Sequence, residues 1–176
     1  MRVAQQWCVV ILFCCAFPAT PLCAQSSGHA TQNSGDKQFL KTAGESTLCA
    51  IEFSSAVKNR TPTVTVRAYA ESVIDDNHQI RQILLHLASE KGMTLATDLN
   101  AMQNDKRMQL DRTPPAQLDE QYSRLMASQV QSTINQFRQE AASGADPLVK
   151  DFARKTLTRL QGELDQARQI VDASQR

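Results

Sequence analysis

Residues 61–92 read TPTVTVRAYAESVIDDNHQIRQILLHLASEKG, and their pattern decides the fold. One set of residues recurs at alternating steps of four and three: Val66, Ala70, Val73, Asn77, Ile80, Leu84 and Leu87. This spacing lines one face of a helix and is typical of packed helical bundles. Thr61-Pro62 reads as an N-cap followed by a first-turn proline, and Gly92 reads as a left-handed C-cap. The stretch therefore predicts one long amphipathic helix, here called helix B.

Three further segments show the same helical spacing. Helix A is predicted from about Asp36 to Lys58, helix C from Thr113-Pro114 to Ser143-Gly144, and helix D from Asp146-Pro147 to about Val171. Their predicted inner faces are Phe39, Ala43, Ser46, Ala50, Phe53 and Val57; Tyr122, Met126, Val130, Thr133 and Phe137; and Val149, Ala153, Thr156, Leu160, Glu163, Ala167 and Ile170. No stretch shows the sustained alternation of a strand. The pattern predicts an all-α domain over residues 36–173.

The lengths of the connections predict the topology. Only a few residues separate helices A and B, and likewise C and D, so each pair is expected to fold back as an antiparallel hairpin. Met93–Arg112 lies between the hairpins, and its roughly twenty residues can span about 65 Å at about 3.3 Å each. Helix B, at about 28 residues, is only about 40 Å long. A crossover of this length, with room for a short helix, predicts a ferritin-like four-helix bundle.

The N-terminus reads as a targeting segment. Met1–Ala24 has a basic start, the apolar core Cys8–Phe17 and a small residue at its end, which predicts a cleaved signal peptide and a periplasmic protein. The apolar core is about half as long as a membrane span, so we expect no transmembrane segment in the mature chain. A lipid anchor at Cys23 is less favoured, because Thr20–Leu22 match the required small residues poorly. Residues 25–35 are polar and are predicted to be a flexible linker.

Composition narrows the classes of function. Apart from the first 24 residues, which hold one basic residue and no acidic one, the chain has 18 basic and 18 acidic side chains. A neutral chain argues against nucleic-acid binding. Cys49 is the single cysteine outside the predicted leader, which excludes an internal disulfide framework and a multi-cysteine metal site. We expect it to be a small buried hydrophobic residue.

The chain resembles a known family through four segments that occur in order after a secretory leader. These are FLKTAGESTLCAIEFSSAV at 39–57, TPTVTVRAYAESVIDDNHQI at 61–80, QYSRLMASQVQSTINQFRQEAASG at 121–144 and DPLVKDFARKTLTRLQGELDQA at 146–167. Together they resemble the bacterial domain of unknown function 4142 over nearly all of 37–173. The resemblance implies an exported, ferritin-like helical bundle of the periplasm or envelope, and no established reaction.

The resemblance also implies where polar residues would cluster. Family members often carry a glutamate in helix A, an Asp-His pair late in helix B, and one histidine in each of helices C and D. In this sequence those positions correspond to Glu52, to His78 with Asn77 before it, to Val130 and to Glu163. Two of the three family histidines are therefore replaced here.

The sequence lacks part of the set of metal ligands that ferritin-like oxidation chemistry requires. That chemistry uses Glu-x-x-His motifs, and this sequence contains none; Asp75 and His78, three residues apart, are the nearest approach. A divalent metal ion could be bound by Glu52, Asp75, His78 and Glu163 if all four point inward. The favoured role of His78 is a structural one, a hydrogen bond to Asp75 or to a neighbouring helix. Glu163, at an apolar position, is expected to reach solvent, to pair with a base such as His78, or to bind a ligand.

Two hypotheses of function follow. The first is a non-enzymatic binding or stress-protective module of the envelope, with an envelope protein or a second copy as partner. The alternative is a metal- or small-ligand-binding bundle that uses Glu52, His78 and Glu163. A ferritin-like oxidoreductase is disfavoured by the missing motifs. Charged stretches such as Arg138–Glu140 are expected to be ordinary solvated surface.

Overall fold

The chain folds into helices joined by short turns and one long connection. The computed structural model describes residues 27–174, and over that range there are five helices and no strand. The helices are α1 Ser27–Lys58, α2 Val64–Glu90, α3 Ala101–Arg112, α4 Pro115–Ser143 and α5 Pro147–Ser174. The all-α prediction is confirmed, and α1, α2, α4 and α5 correspond to predicted helices A to D. The predicted leader, Met1–Ala24, lies outside the described residues.

The four long helices form two antiparallel hairpins, α1–α2 and α4–α5, which pack against each other. All the residues predicted for the inner faces of α2 and α4 are buried. Aromatic rings join three helices in this core, because Phe137 of α4 lies 4.9 Å from the Phe39 ring of α1 and 5.8 Å from the Phe152 ring of α5. The hydrophobic periodicity therefore identified the core correctly.

The end of α2 follows the prediction made from Gly92. Gly92 has a φ of +64°, a conformation that costs glycine little and other residues more. Its N–H donates to Ser89 O at 3.0 Å, and the N–H of Met93 donates to Ala88 O at 2.9 Å. These two bonds form a Schellman motif, which ends the helix and turns the chain into the crossover.

The start of α2 corrects the predicted N-cap. The cap residue is Thr63, not Thr61. The Thr61 hydroxyl accepts from the Thr63 N–H at 3.1 Å and donates to Asp119 Oδ1 of α4 at 2.5 Å. Thr61 therefore closes the turn and joins the two hairpins, because the turn lies against the first part of α4.

The connection between α2 and α4 runs along the bundle from one end to the other. Near its start, the Arg81 guanidinium donates to the carbonyl of Ala96. Near its end, Arg60 at the close of α1 donates to Leu110 O at 2.6 Å and to Thr113 O at 2.8 Å. Between these points α3 packs on α1 and α4, with Leu110 fully buried. The connection is the long crossover with a short helix that the sequence predicted.

Helix α1 begins earlier than the sequence suggested. It starts at Ser27 rather than near Asp36, so most of the segment predicted as a polar linker, residues 25–35, is helical. Once packing from Asp36 onward has formed a helix, each residue added at its end gains a hydrogen bond without a new nucleation cost. No helix in 27–174 is long and apolar enough to cross a membrane.

Candidate functional site

Buried polar side chains from all four long helices meet at the middle of the bundle. They surround a small cavity, here called the central cavity, lined by Ser46 and Thr47 of α1, Asn77 and Ile80 of α2, Gln129, Val130 and Thr133 of α4, and Glu163 of α5, among others. The centre of a water molecule can occupy about 10 Å³ inside this cavity. That is close to the minimum that holds one water, so a single water or monatomic ion fits there and an organic molecule does not.

Glu163 is the acidic group of this cavity. It is 7% exposed, and its carboxyl is hydrogen-bonded to the side chain of Asn77, whose Nδ2 also donates to Val73 O at 2.9 Å. Among the described residues, Glu163 Oε2 has no hydrogen-bond partner. Burial raises the pKa of Glu163 to about 7; the Asn77 bond opposes this shift, and the nearby charge of Asp76 adds to it. Glu163 is therefore a buried acid that holds its proton up to neutral pH.

The other groups around the central cavity mainly offer acceptors. The Thr47 hydroxyl donates to Gly44 O at 3.0 Å, and the Thr133 hydroxyl donates to Gln129 O at 3.0 Å. Because each hydroxyl has one proton, both threonine oxygens keep only lone pairs for the cavity. The occupant that suits them is a proton donor or a cation, and the neutral form of Glu163 is itself such a donor.

Two tyrosines lie near Glu163, with ring centroids 5.8 Å apart. The Tyr122 hydroxyl shares a 2.7 Å hydrogen bond with Ser54 of α1. The buried Tyr69 hydroxyl has no hydrogen-bond partner within 27–174. Burial is the main cause that raises the pKa of both phenols, and the charge of Glu163 adds to it, so both stay neutral. The apolar spacing of α4 predicts Tyr122 in the core. The corresponding spacing of α2 does not include Tyr69, although a tyrosine beside that apolar stripe is a signal for its burial.

The predicted metal ligands are not brought together. Glu163 is buried, whereas Asp75 and His78 are exposed on α2 and Glu52 is half-buried on α1. Within the described part of the chain, no group of three or more His, Cys, Asp or Glu side chains is placed to hold a metal ion. The reason is helical geometry: Asn77 points to the core, and His78, one residue and about 100° further round, points away from it. Glu163 is hydrogen-bonded to Asn77, in place of the suggested pairing with His78.

Two other sequence expectations have clear outcomes. Cys49 is buried as predicted, and burial raises its thiol pKa to about 12, which makes it a poor nucleophile. Glu140 corrects a prediction, because it is 7% exposed rather than solvated. It follows Thr133 and Phe137 in the same four-three rhythm, so the sequence carried a signal for its burial that the charge of the residue obscured.

Helices α2 and α5 leave two grooves between them on the bundle surface, which we call the α2–α5 face. The upper groove, about 460 Å³, is lined by apolar side chains such as Ile83, Leu148 and Phe152 together with charged ones such as Lys155 and Arg159. The lower groove, about 670 Å³, lies between the start of α2 and the end of α5, and the upper groove lies between the end of α2 and the start of α5. The lining of the lower groove includes Tyr69 and Ile170. Both volumes fall in the range of ligand-binding clefts.

The sequence places the chain in a family. The model of the Domain of unknown function (DUF4142) matches residues 21–170, most of the chain. The chain belongs to the DUF4142 family. No curated protein matches it significantly.

Two solved structures resemble this DUF4142 chain in fold. A DUF305 fragment from Deinococcus radiodurans superposes with a TM-score of 0.71 at 16% identity, covering 79% of this chain and 96% of that one. A conserved hypothetical protein from Mycobacterium tuberculosis superposes with a TM-score of 0.63 at 14% identity, covering 81% of this chain and 94% of that one. At these identities the likeness shows a shared helical fold and nothing about activity.

Three of the positions that the family resemblance singled out meet at one place. Asn77, Val130 and Glu163 all line the central cavity. Asn77 stands where the resemblance implied an aspartate, and Val130 stands where it implied a histidine. In this chain Glu163 is therefore the one carboxyl among these three positions. The central cavity is therefore suited to a proton, a water or one small cation.

Proposed function

We propose that this protein is an exported, non-enzymatic bundle with ferritin-like connectivity, and that it works by binding a helix of an envelope protein on its α2–α5 face. The observation that carries the proposal is the pair of grooves between α2 and α5, each of which combines apolar side chains with polar ones. The reading of Met1–Ala24 as a secretory leader supports export, and the long crossover supports the ferritin-like assignment. A stress-protective role would be exercised through the same bound partner.

The form of the α2–α5 face favours a helix as its occupant. On the other side of the bundle, the chain's own α3 packs over α1 and α4. The α2–α5 face lacks such a cover among the described residues, and Ile83 and Leu148 are 49% and 62% exposed there. The roughly 14 residues from Tyr69 to Ile83 rise about 21 Å, so one helix of about 18 residues could reach both grooves. Apolar residues at helical spacing would fill the grooves, which is a common mode of recognition.

The partner must also match the charges around the grooves. Between them, Arg159 of α5 donates to Gln79 Oε1 at 3.2 Å and lies 3.6 Å from Asp76. In the upper groove Lys155 pairs with Asp151 at 2.6 Å. Because the basic and acidic side chains are paired, the face favours a helix with an apolar stripe and mixed charges over a strongly acidic or basic one.

A fluorescently labelled 20-residue helical peptide, with leucines at i, i+3, i+4 and i+7 and balanced Glu and Lys, tests this proposal by fluorescence anisotropy. We expect saturable binding that weakens at least tenfold in Ile83→Lys and in Leu148→Lys. Leu85→Lys is the matched control, because Leu85 is 45% exposed on α2 but does not line either groove. Equal binding by all four proteins would overturn the proposal, and so would a wild-type dimer that Ile83→Lys dissociates, because the face would then bind a second copy.

The second candidate is a binding site for one small metal ion at the central cavity, favoured by the unpartnered Oε2 of Glu163. The ion would be held by Glu163 with hydroxyl and amide oxygens, rather than by the whole set of Glu52, Asp75, His78 and Glu163. Oxygen ligands of this kind suit hard cations. Calorimetry with divalent metal ions on wild type, Glu163→Gln and His78→Ala tests it. We expect Glu163→Gln to abolish binding at the central cavity and His78→Ala to leave it unchanged; the same number of bound ions in Glu163→Gln as in wild type would remove this candidate.

A further inference from the structure

The end of the bundle where α4 ends holds a pair of buried acids, separate from Glu163. Asp36 of α1 is 3% exposed, and its two carboxylate oxygens accept from the backbone N–H groups of Ala145 and Asp146, each at 2.9 Å. The Glu140 carboxyl of α4 lies close enough to Asp36 for the charge of Asp36 to raise the pKa of Glu140. Asp36 is therefore fixed by the turn between α4 and α5, with the Glu140 carboxyl nearby.

These acids face a cavity of about 510 Å³ that lies between α1 and α4, here called the end cavity. In the part of the chain that the structure describes, two buried oxygens on this cavity lack a hydrogen-bond partner: Glu140 Oε1 and Gln136 Oε1. Gln136 precedes Glu140 by one helical turn, so both side chains lie on the same face of α4. Two unsatisfied acceptors beside a carboxylate require either donors or a cation.

The backbone makes the end cavity more favourable for positive charge. Helix α4 ends at Ser143, and the carbonyls of its last turn give that end a partial negative charge. The nearby lysines are engaged elsewhere, because Lys150 donates to Ala142 O at 3.0 Å and Lys91 donates to Asp146 at 2.5 Å. Burial, and then the charge of Asp36, raise the pKa of Glu140 to about 7, with a smaller contribution from Asp146 that Lys150 offsets.

Gly144 shows how closely the Glu140 carboxyl is packed. A Cβ atom at Gly144 would lie 2.2 Å from Glu140 Oε1 and 2.7 Å from the Glu140 carbonyl oxygen. The carboxyl therefore occupies space that any residue other than glycine would fill.

We propose that the end cavity binds one hard divalent cation of the Ca²⁺ type, with Asp36, Gln136 and Glu140 as its side-chain ligands. Carboxylates and an amide carbonyl are the oxygen ligands that Ca²⁺ uses, and the open volume leaves room for the waters that complete its shell. Ca²⁺ tolerates irregular geometry, whereas Mg²⁺ requires an almost ideal octahedron. A site with two carboxylates belongs to the weak class, with a Kd on the order of 10⁻⁴ to 10⁻³ M, which suits an extracytoplasmic protein. The proposal does not depend on the helix-binding function.

Calorimetric titration of the EDTA-treated protein with CaCl₂ at pH 8 tests the site. We expect one saturable site in wild type, at least tenfold weaker binding in Glu140→Gln, and several-fold weaker binding in Gln136→Met. Glu71→Gln is the control, since it neutralises an exposed glutamate of α2 that does not line the end cavity and should leave Ca²⁺ affinity unchanged. Mg²⁺ should bind more weakly than Ca²⁺.

A second readout separates binding at this site from loose association with surface acids. Ca²⁺ at 20 times its Kd should raise the Tm of wild type and of Glu71→Gln by roughly a few degrees, and that of Glu140→Gln by much less. If Glu140→Gln does not fold, as judged by circular dichroism, Gln136→Met decides. No saturable heat in wild type, equal affinity in wild type and the ligand variants, or equal affinity for Mg²⁺ would each overturn the proposal.

Discussion

Glu163 makes the stability of the bundle depend on pH in a way that Glu163→Gln should remove. Its pKa is about 7 in the folded protein, against the ordinary glutamate value of 4.5. Between these two values the unfolded chain is ionised while the folded chain keeps its proton, so the unfolded state binds fewer protons. The free energy of unfolding contributed by Glu163 is therefore fully present below pH 4.5, falls as pH rises, and levels off above about pH 7.

The size of the effect follows from the shift. At 1.36 kcal/mol per pKa unit, a shift from 4.5 to about 7 corresponds to about 3 kcal/mol lost between acid and neutral pH. Glutamine has nearly the same shape, can still accept a hydrogen bond from Asn77, and never ionises. We therefore expect Glu163→Gln to resemble wild type at pH 4 and to be about 3 kcal/mol more stable at pH 8.

Urea unfolding followed by far-ultraviolet circular dichroism at pH 4, 5.5, 7 and 8 measures this difference. Glu140 titrates over a similar range, but it is present in both proteins and cancels in the comparison. The exposed Glu71 provides the control, because Glu71→Gln should shift the free energy of unfolding by well under 1 kcal/mol at every pH. A difference between Glu163→Gln and wild type that does not grow from pH 4 to pH 8 would refute the reasoning.

Three further outcomes follow from other parts of the molecule. Gly92→Ala should cost about 1 kcal/mol in urea unfolding because of the positive φ, and an unchanged midpoint would contradict the Schellman cap. Arg60→Met removes two hydrogen bonds to the crossover and should cost about 1–3 kcal/mol, with faster amide exchange in α3 than in α5; uniform exchange would argue against a role in docking α3. Mass spectrometry of the exported protein should find Gln25 as its first residue, whereas a lipid-modified Cys23 would refute cleavage after Ala24.

The hairpins and their core were predictable because each depends on the spacing within one helix. Steps of four and three repeat the same face, so the pattern of α2 identifies its buried residues without any knowledge of its neighbours. The same rule placed Glu163 in the interior. It failed for Glu140 only because a charged residue was taken to be solvated, even though its position continued the stripe of α4.

The sites were harder to predict because they depend on which residues of different helices lie opposite one another in the bundle. Asp36 lies near Glu140, and Asn77 lies near Glu163, although the members of each pair are far apart in the sequence. No spacing within a single helix states which residues face each other across the bundle. Metal binding by Asp75 and His78 was suggested by their spacing on one helix face, and that face turned out to be the outer one.

The length of the α2–α4 connection also affects whether two molecules of this protein can exchange hairpins. If α3 detaches, the released segment is long enough for the α4–α5 hairpin of one molecule to pack on the α1–α2 hairpin of another. The result would be a domain-swapped dimer with the same core contacts as the monomer. The hydrogen bonds from Arg60 to the carbonyls of Leu110 and Thr113 oppose this exchange, so they keep the two halves of one chain together during refolding at high concentration.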